Sequence, residues 1–181
     1  MHMMMTINSL CLTTITEFME EMLDLRDEYG HRAPTMSLNI LRFPSFQSAA
    51  ILPENIKTFY KDKLQRWFDS ERAQKNLHDG EKASVQRLID YLDIVKTPHK
   101  NTAETPKLYN DFKAFFEQYD VRRGKNFRET FKGPIADWYD TLSAEVPSEQ
   151  DIMNKKETIK IYNRAGDPAT TEGYEGGDDA H

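Results

Sequence analysis

The chain has 181 residues, with 24 lysines and arginines against 30 acids, for a net charge of −6. That is room for one ordinary domain, or a domain with a tail, and the charge argues against a constitutive polyanion binder. The one cysteine, Cys11, excludes an internal disulfide framework, a cysteine-only zinc site and an iron–sulfur cluster held by this chain alone.

Hydrophobic residues make up 38% of the chain and charged residues 30%, a lean composition for a packed domain. Aromatics at 11% still supply a core. No apolar run reaches the roughly 18 residues that a membrane span needs. The opening Met1-His2-Met3-Met4-Met5 lacks the basic region and long apolar stretch of a secretion signal, so a cytoplasmic location is expected. The crowded methionines are consistent with an alternative start, or with a chain that begins inside a longer ancestral reading frame.

The first predicted element is an amphipathic helix from about Thr14 to Tyr29. Thr14-x-x-Glu17 has the form of a capping box, Ile15, Phe18, Met19, Met22 and Leu23 recur at helical spacing, and Gly30 ends the pattern. Pro34 breaks the chain, and the alternating run from Leu38 to Phe43, closed by Pro44, predicts a short strand. A second short apolar run, Ala49 to Leu52, precedes Pro53.

Pro53-Glu54 opens a second helix whose apolar face carries Ile56, Phe59, Tyr60, Leu64, Trp67 and Phe68. Arg72 to Gly80 is polar and predicts a loop or a frayed helix end. A third helix is expected from about Glu81 to Lys96, and a loop from Thr97 to Pro106. A fourth helix follows from Lys107 to about Tyr119, with Asp120 to Gly124 closing it. Asn126-x-x-Glu129 predicts a helical turn at Phe127 to Phe131. After Gly133-Pro134, Ile135, Trp138, Tyr139 and Leu142 predict a short helix. Thr158 to Tyr162 is a marginal strand candidate. The segment from Arg164 onward, rich in glycine and acids, cannot bury enough apolar surface to offset its ordering entropy and is expected to be disordered.

Chemistry-bearing motifs are sparse. The five histidines are scattered without metal-ligand spacing, Cys11 has no glycine-rich elbow or activating base beside it, and phosphate-loop, metalloprotease and hydrolase motifs are missing. No catalytic residue and no metal ligand is nominated by the residues themselves. Arg122, Arg123, Lys125, Arg128 and Lys132 interleave with Phe127 and Phe131. Such a pattern can bind single-stranded nucleic acid by backbone attraction and stacking. It can also be a solvated surface whose arginines cap helix ends and pair with acids, which is the favoured reading.

Three stretches together carry a family resemblance: Asn39 to Ser48 (Asn-Ile-Leu-Arg-Phe-Pro-Ser-Phe-Gln-Ser) with Leu52-Pro53, Arg87 to Leu92 (Arg-Leu-Ile-Asp-Tyr-Leu), and Tyr119 to Phe131. The last, with Asp120, Arg122, Arg123, Asn126, Phe127, Glu129, Thr130 and Phe131, is the most specific. In this order they resemble the C-terminal half of radical S-adenosylmethionine proteins of the twitch type, found in phages and environmental bacteria, over about Phe18 to Leu142. In that family a partial α/β barrel begins with a C-x-x-x-C-x-x-C loop holding a [4Fe–4S] cluster that binds S-adenosylmethionine. This chain has no such loop.

The resemblance implies a mainly α fold with a short β element. A late-barrel helix and strand would occupy residues 1–53 and a helical extension 54–146; outside the resemblance, composition gives a marginal strand with a disordered acidic tail at 147–181. It implies a cluster-less portion, inactive alone, with [4Fe–4S] and S-adenosylmethionine present only if a partner chain supplies the cysteines. If a partner completes the barrel, Asn39, Arg42, Ser45 and Gln47 are the polar groups nearest the carboxyl end of the strand, where they would meet cofactor or substrate. Self-association through the strand's open edge is the alternative to a partner. A decayed remnant, a non-catalytic helical interaction module and, more weakly, a nucleic-acid binder through 122–132 are the other readings.

Overall fold

The computed structural model describes residues 2–95 and 104–143. The chain divides into two units, Met1–Ala144 and Glu145–His181, and the described residues lie in the first. The strand candidate at Thr158–Tyr162 and the acidic tail fall outside the described residues.

The protein is mainly helical with a small parallel sheet. Strand β1 (His2–Ile7) leads through helix α1 (Ile15–Tyr29) to strand β2 (Thr35–Ile40), and the strands pair in parallel from His2 opposite Thr35 to Ile7 opposite Ile40. Then come α2 (Glu54–Phe68), α3 (Glu71–Asn76), α4 (Asp79–Ile94), α5 (Glu104–Arg123), α6 (Phe127–Thr130) and α7 (Pro134–Thr141).

The methionine run is thus a strand, which local composition did not signal. Met3, Met5 and Ile7 face the core, while His2, Met4 and Thr6 are exposed. The expected strand at Leu38–Phe43 sits earlier, at Thr35–Ile40. Met36 and Leu38 are buried, and the ladder ends where the Leu41 N–H donates to the Ile7 carbonyl at 2.9 Å.

A single core joins all these elements. Met19, Met22 and Leu23 of α1, Leu64 of α2, and Val85 and Leu88 of α4 close over the inner face of the sheet. Lys57 of α2 is fully buried, with its ammonium donating to the Val95 carbonyl at 2.7 Å and to Glu54 at 3.1 Å. No helix among the described residues is long and apolar enough to cross a membrane.

Several caps differ from expectation. The Thr14 side chain caps nothing at the start of α1. Glu17 instead accepts from Thr16 and pairs with Lys63 of α2 at 2.7 Å. The polar stretch expected as a loop or a frayed helix end instead forms a short helix of its own through Asn76, because the Ser70 hydroxyl accepts the Ala73 N–H and starts α3. α5 begins at Glu104 because a proline, here Pro106, is tolerated in a first turn whose N–H groups need no partner. It runs on to Arg123, where Gly124 adopts φ 57° and the Lys125 N–H donates to the Asp120 carbonyl at 3.0 Å. The Asn126 cap forms as expected, its side-chain oxygen accepting the Arg128 N–H at 2.9 Å.

The two edges of the sheet are unlike. On β2, the outward N–H of Met36 donates to the Glu81 carboxylate at 2.9 Å, the Leu38 N–H donates to the Ser84 hydroxyl at 2.7 Å, and the Leu38 carbonyl accepts from Arg87. All three partners project from one face of α4. The expected open edge on this strand is therefore sealed. Since Ile7 bonds inward to β2, the alternation of the ladder turns the backbone groups of Met4 and Thr6 outward from β1. Among the described residues, one group reaches that edge: the Cys11 thiol donates to the Thr6 carbonyl at 3.7 Å. Ser84→Ala strands a buried N–H and is expected to cost about 1–3 kcal/mol of stability, read from denaturant unfolding.

Candidate functional site

The carboxyl ends of parallel strands are where open α/β folds place their ligand crevices. Here β1 runs out into Asn8-Ser9-Leu10 and β2 into the segment 41–52. The Asn8 side-chain oxygen accepts the N–H groups of Leu10 and Cys11, both at 2.9 Å, which fixes the first loop. The Ser9 N–H donates to the Gln47 carbonyl at 2.8 Å and ties it to the second. Phe43–Pro44 is a cis peptide bond, and Ser45–Gln47 follows as a 3-10 turn.

This second loop stands as a ridge bordered by three clefts: one of about 570 Å³ is lined by Phe43, Pro44, Ser45 and Phe46 with Lys107, Leu108 and Asp111 of α5, and two more take in the residues singled out in the sequence. The smaller of these two, of about 330 Å³, is lined by Arg42, Ser45, Ser48, Ile51, Tyr91 and Leu108. The Ser48 and Tyr91 hydroxyls approach to 3.4 Å within it. The other, of about 580 Å³, lies between the strand-end loops and the second half of α5. Asn8, Leu10 and Gln47 form its strand side, and Phe115, Phe116 and Tyr119 of α5 one wall. Phe127, which meets Phe116 at 5.4 Å, and Phe131 continue the lining, together with Asp120, Lys125 and Thr130. Phe46 links the ridge to α5, its ring 5.4 Å from that of Phe115.

An aromatic cluster supports the larger cleft from below. Phe112, fully buried, meets the rings of Phe116, Phe127, Trp138 and Tyr139 at 4.7 to 6.3 Å. Phe127 stacks flat on Tyr139 at 3.8 Å, and the Lys113 ammonium sits 3.7 Å from the centre of the Tyr139 ring. Burial first, then the nearby charges of Glu117, Asp120 and Asp140, push the Tyr139 hydroxyl up to about 12, so it stays neutral at physiological pH. The Asp120 carboxylate accepts the Phe127 N–H at 2.8 Å and so fixes the α5–α6 turn.

The residues singled out in the sequence separate. Arg42 and Ser45 share the smaller cleft, Gln47 lines the larger one, and Asn39 lies apart on the exposed face of the sheet beside Met4. The basic residues also divide. Arg128 is held by Asp140 and Asp137 of α7, as in the salt-bridge reading of that run, though with other acids than its sequence neighbours. Arg122 and Arg123 are exposed at the end of α5, and Lys125 lines the larger cleft. The aromatic wall of α5 escaped sequence reasoning as a site. Phe112, Phe115, Phe116 and Tyr119 at helical spacing read as core, whereas Phe115 and Tyr119 are 41% and 46% exposed.

The donor set of this chain does not fit a [4Fe–4S] cluster, since its one thiol, on Cys11, is engaged with the Thr6 carbonyl. In comparisons with protein families, curated proteins and solved structures, nothing matches the chain.

Proposed function

We propose that the chain is the C-terminal, cluster-less portion of a twitch-type radical S-adenosylmethionine enzyme, inactive alone, that completes a barrel begun by a separate polypeptide. The observation that carries this reading is the one-sided sheet. Parallel sheets are normally covered on both faces, and two strands fall short of an independent sheet. Here β2 is sealed by Glu81, Ser84 and Arg87, while the outer backbone groups of β1 meet among the described residues only the long Cys11 thiol contact to the Thr6 carbonyl.

The clefts at the carboxyl ends of the strands support the same reading. In this reading Arg42 and Ser45, which line one cleft, and Gln47, which lines another, would meet a substrate held against the missing half, and Asn39 faces out beside the β1–β2 pair. The cysteines for the cluster, and hence S-adenosylmethionine, belong to the partner in this proposal.

The test is coexpression with an adjacent reading frame that encodes C-x-x-x-C-x-x-C. The expected result is a stable complex with cluster absorbance, and no stoichiometric cluster on this chain alone after anaerobic reconstitution. Absence of such a frame, or two products that elute separately, would leave the other reading: a stand-alone helical interaction module. The continuous core favours that second reading.

A further inference from the structure

The larger cleft has the make-up of a small-molecule site, independently of whether a second polypeptide completes the sheet. Its volume of about 580 Å³ lies within the range of ligand pockets. Its lining includes the rings of Phe115 and Tyr119 on α5 and of Phe127 and Phe131 beyond the turn. Phe116 meets Phe127 at 5.4 Å and Phe127 stacks on Tyr139, so these rings close the cleft, while Phe115 and Tyr119 stay 41% and 46% exposed beside it. Keeping Phe115 and Tyr119 this exposed forgoes burial worth roughly 25 cal/mol per Å². A stacking ligand recovers it.

Two polar groups converge on the same space. The exposed Lys125 ammonium makes no ion pair or hydrogen bond among the described residues. The one acid in the lining, Asp120, spends a carboxylate oxygen on the Phe127 N–H. Gln47 uses its backbone N–H on Pro44 and its carbonyl on Ser9, which leaves its side-chain amide, also unpartnered among the described residues, for a ligand edge.

We infer that this cleft binds a planar aromatic ring carrying an anionic group, with the ring against Phe115 and Tyr119, the anion at Lys125 and a polar ring edge at Gln47. A nucleoside phosphate and an aromatic carboxylate share this chemistry. An acyl chain would use the rings but not the ammonium and the amide, and a bare phosphate would use the ammonium alone.

Calorimetric titration of the full chain with adenosine 5′-monophosphate, indole-3-carboxylate, adenosine and inorganic phosphate tests it. At least one of the two ring-anions should bind about tenfold or more tightly than adenosine or phosphate, and which one does so identifies the source. Lys125→Gln should weaken that ring-anion about tenfold and leave adenosine unchanged, while Phe115→Ala should weaken both. Both side chains are exposed, and retained helical circular dichroism confirms that the variants fold. Failure of both ring-anions to bind at millimolar concentration overturns the inference. So does binding that neither variant alters, or binding of a single-stranded oligonucleotide with steep salt dependence where mononucleotides fail.

Discussion

Glu81→Gln is expected to lower the unfolding free energy by about 3–5 kcal/mol, as breaking a buried ion pair does. Glu81 is 3% exposed and serves four donors: both Arg26 amino groups at 2.7 and 2.9 Å, the Met36 N–H at 2.9 Å and the His78 N–H at 2.8 Å. One carboxylate thus joins α1, β2 and the start of α4. A glutamine keeps the shape but turns an NH2 group toward donors and leaves the Arg26 guanidinium without its counter-charge.

The pH dependence follows from the same contacts. Burial pushes the Glu81 carboxyl up, but the bonds from Arg26, His78 and Met36 outweigh it and hold the group below its ordinary 4.5. A carboxyl whose folded value is depressed adds stability that is complete above the unfolded value and is lost as pH falls through the folded one. The wild-type chain should therefore lose stability below about pH 4.5, and Glu81→Gln should flatten that acid limb. Denaturant midpoints measured from pH 7 down to pH 3 check both. A variant as stable as wild type at pH 7 would show that the α1–β2–α4 junction does not depend on this carboxylate.

Phe112→Ala is expected to cost about 3–5 kcal/mol, the range for removing a buried aromatic ring from a core. Phe112 is fully buried and is the hub where α5, α6 and α7 meet. The loss should be local as well as global: in a Trp67→Phe background, tryptophan fluorescence should report solvent reaching Trp138, 5.1 Å from the deleted ring, before the β1–α1–β2 unit opens. A single transition at the wild-type midpoint would contradict this.

The helices were legible in the sequence because their signal is periodic and self-contained. The apolar stripes of α1, α2, α4 and α7 needed no knowledge of a partner. β1 was not legible, since Met3 and Met5 carry little strand preference and the pairing partner of Met3, Met36, lies far along the chain. The displacement of β2 has the same origin: where an extended run stops pairing is set by its neighbour's length. α3 is a polar helix fixed by the Ser70 cap and by packing of Ala73, too short for a periodic signal.

The residues nominated for the site all fall at or near the carboxyl ends of the strands, yet they do not form one cluster: Arg42 and Ser45 line one cleft, Gln47 another, and Asn39 lies beside Met4 on the sheet. Which ring of a helical aromatic stripe lies at a cleft rather than in the core depends on the turn at Gly124, where φ is 57° and the chain folds back toward α5. No spacing rule encodes that.

The sheet is closed on the β2 side and, in the proposed function, open on the β1 side for a strand from a second polypeptide. Backbone hydrogen exchange reads this residue by residue. In the chain alone, the amides of Met36 and Leu38, held by Glu81 and Ser84, should exchange slowly, and those of Met4 and Thr6 rapidly. With the cluster-bearing polypeptide present, Met4 and Thr6 should slow to match. Slow exchange at all four amides in a monomer, or rapid exchange at Met4 and Thr6 that the second polypeptide leaves unchanged, would contradict the account.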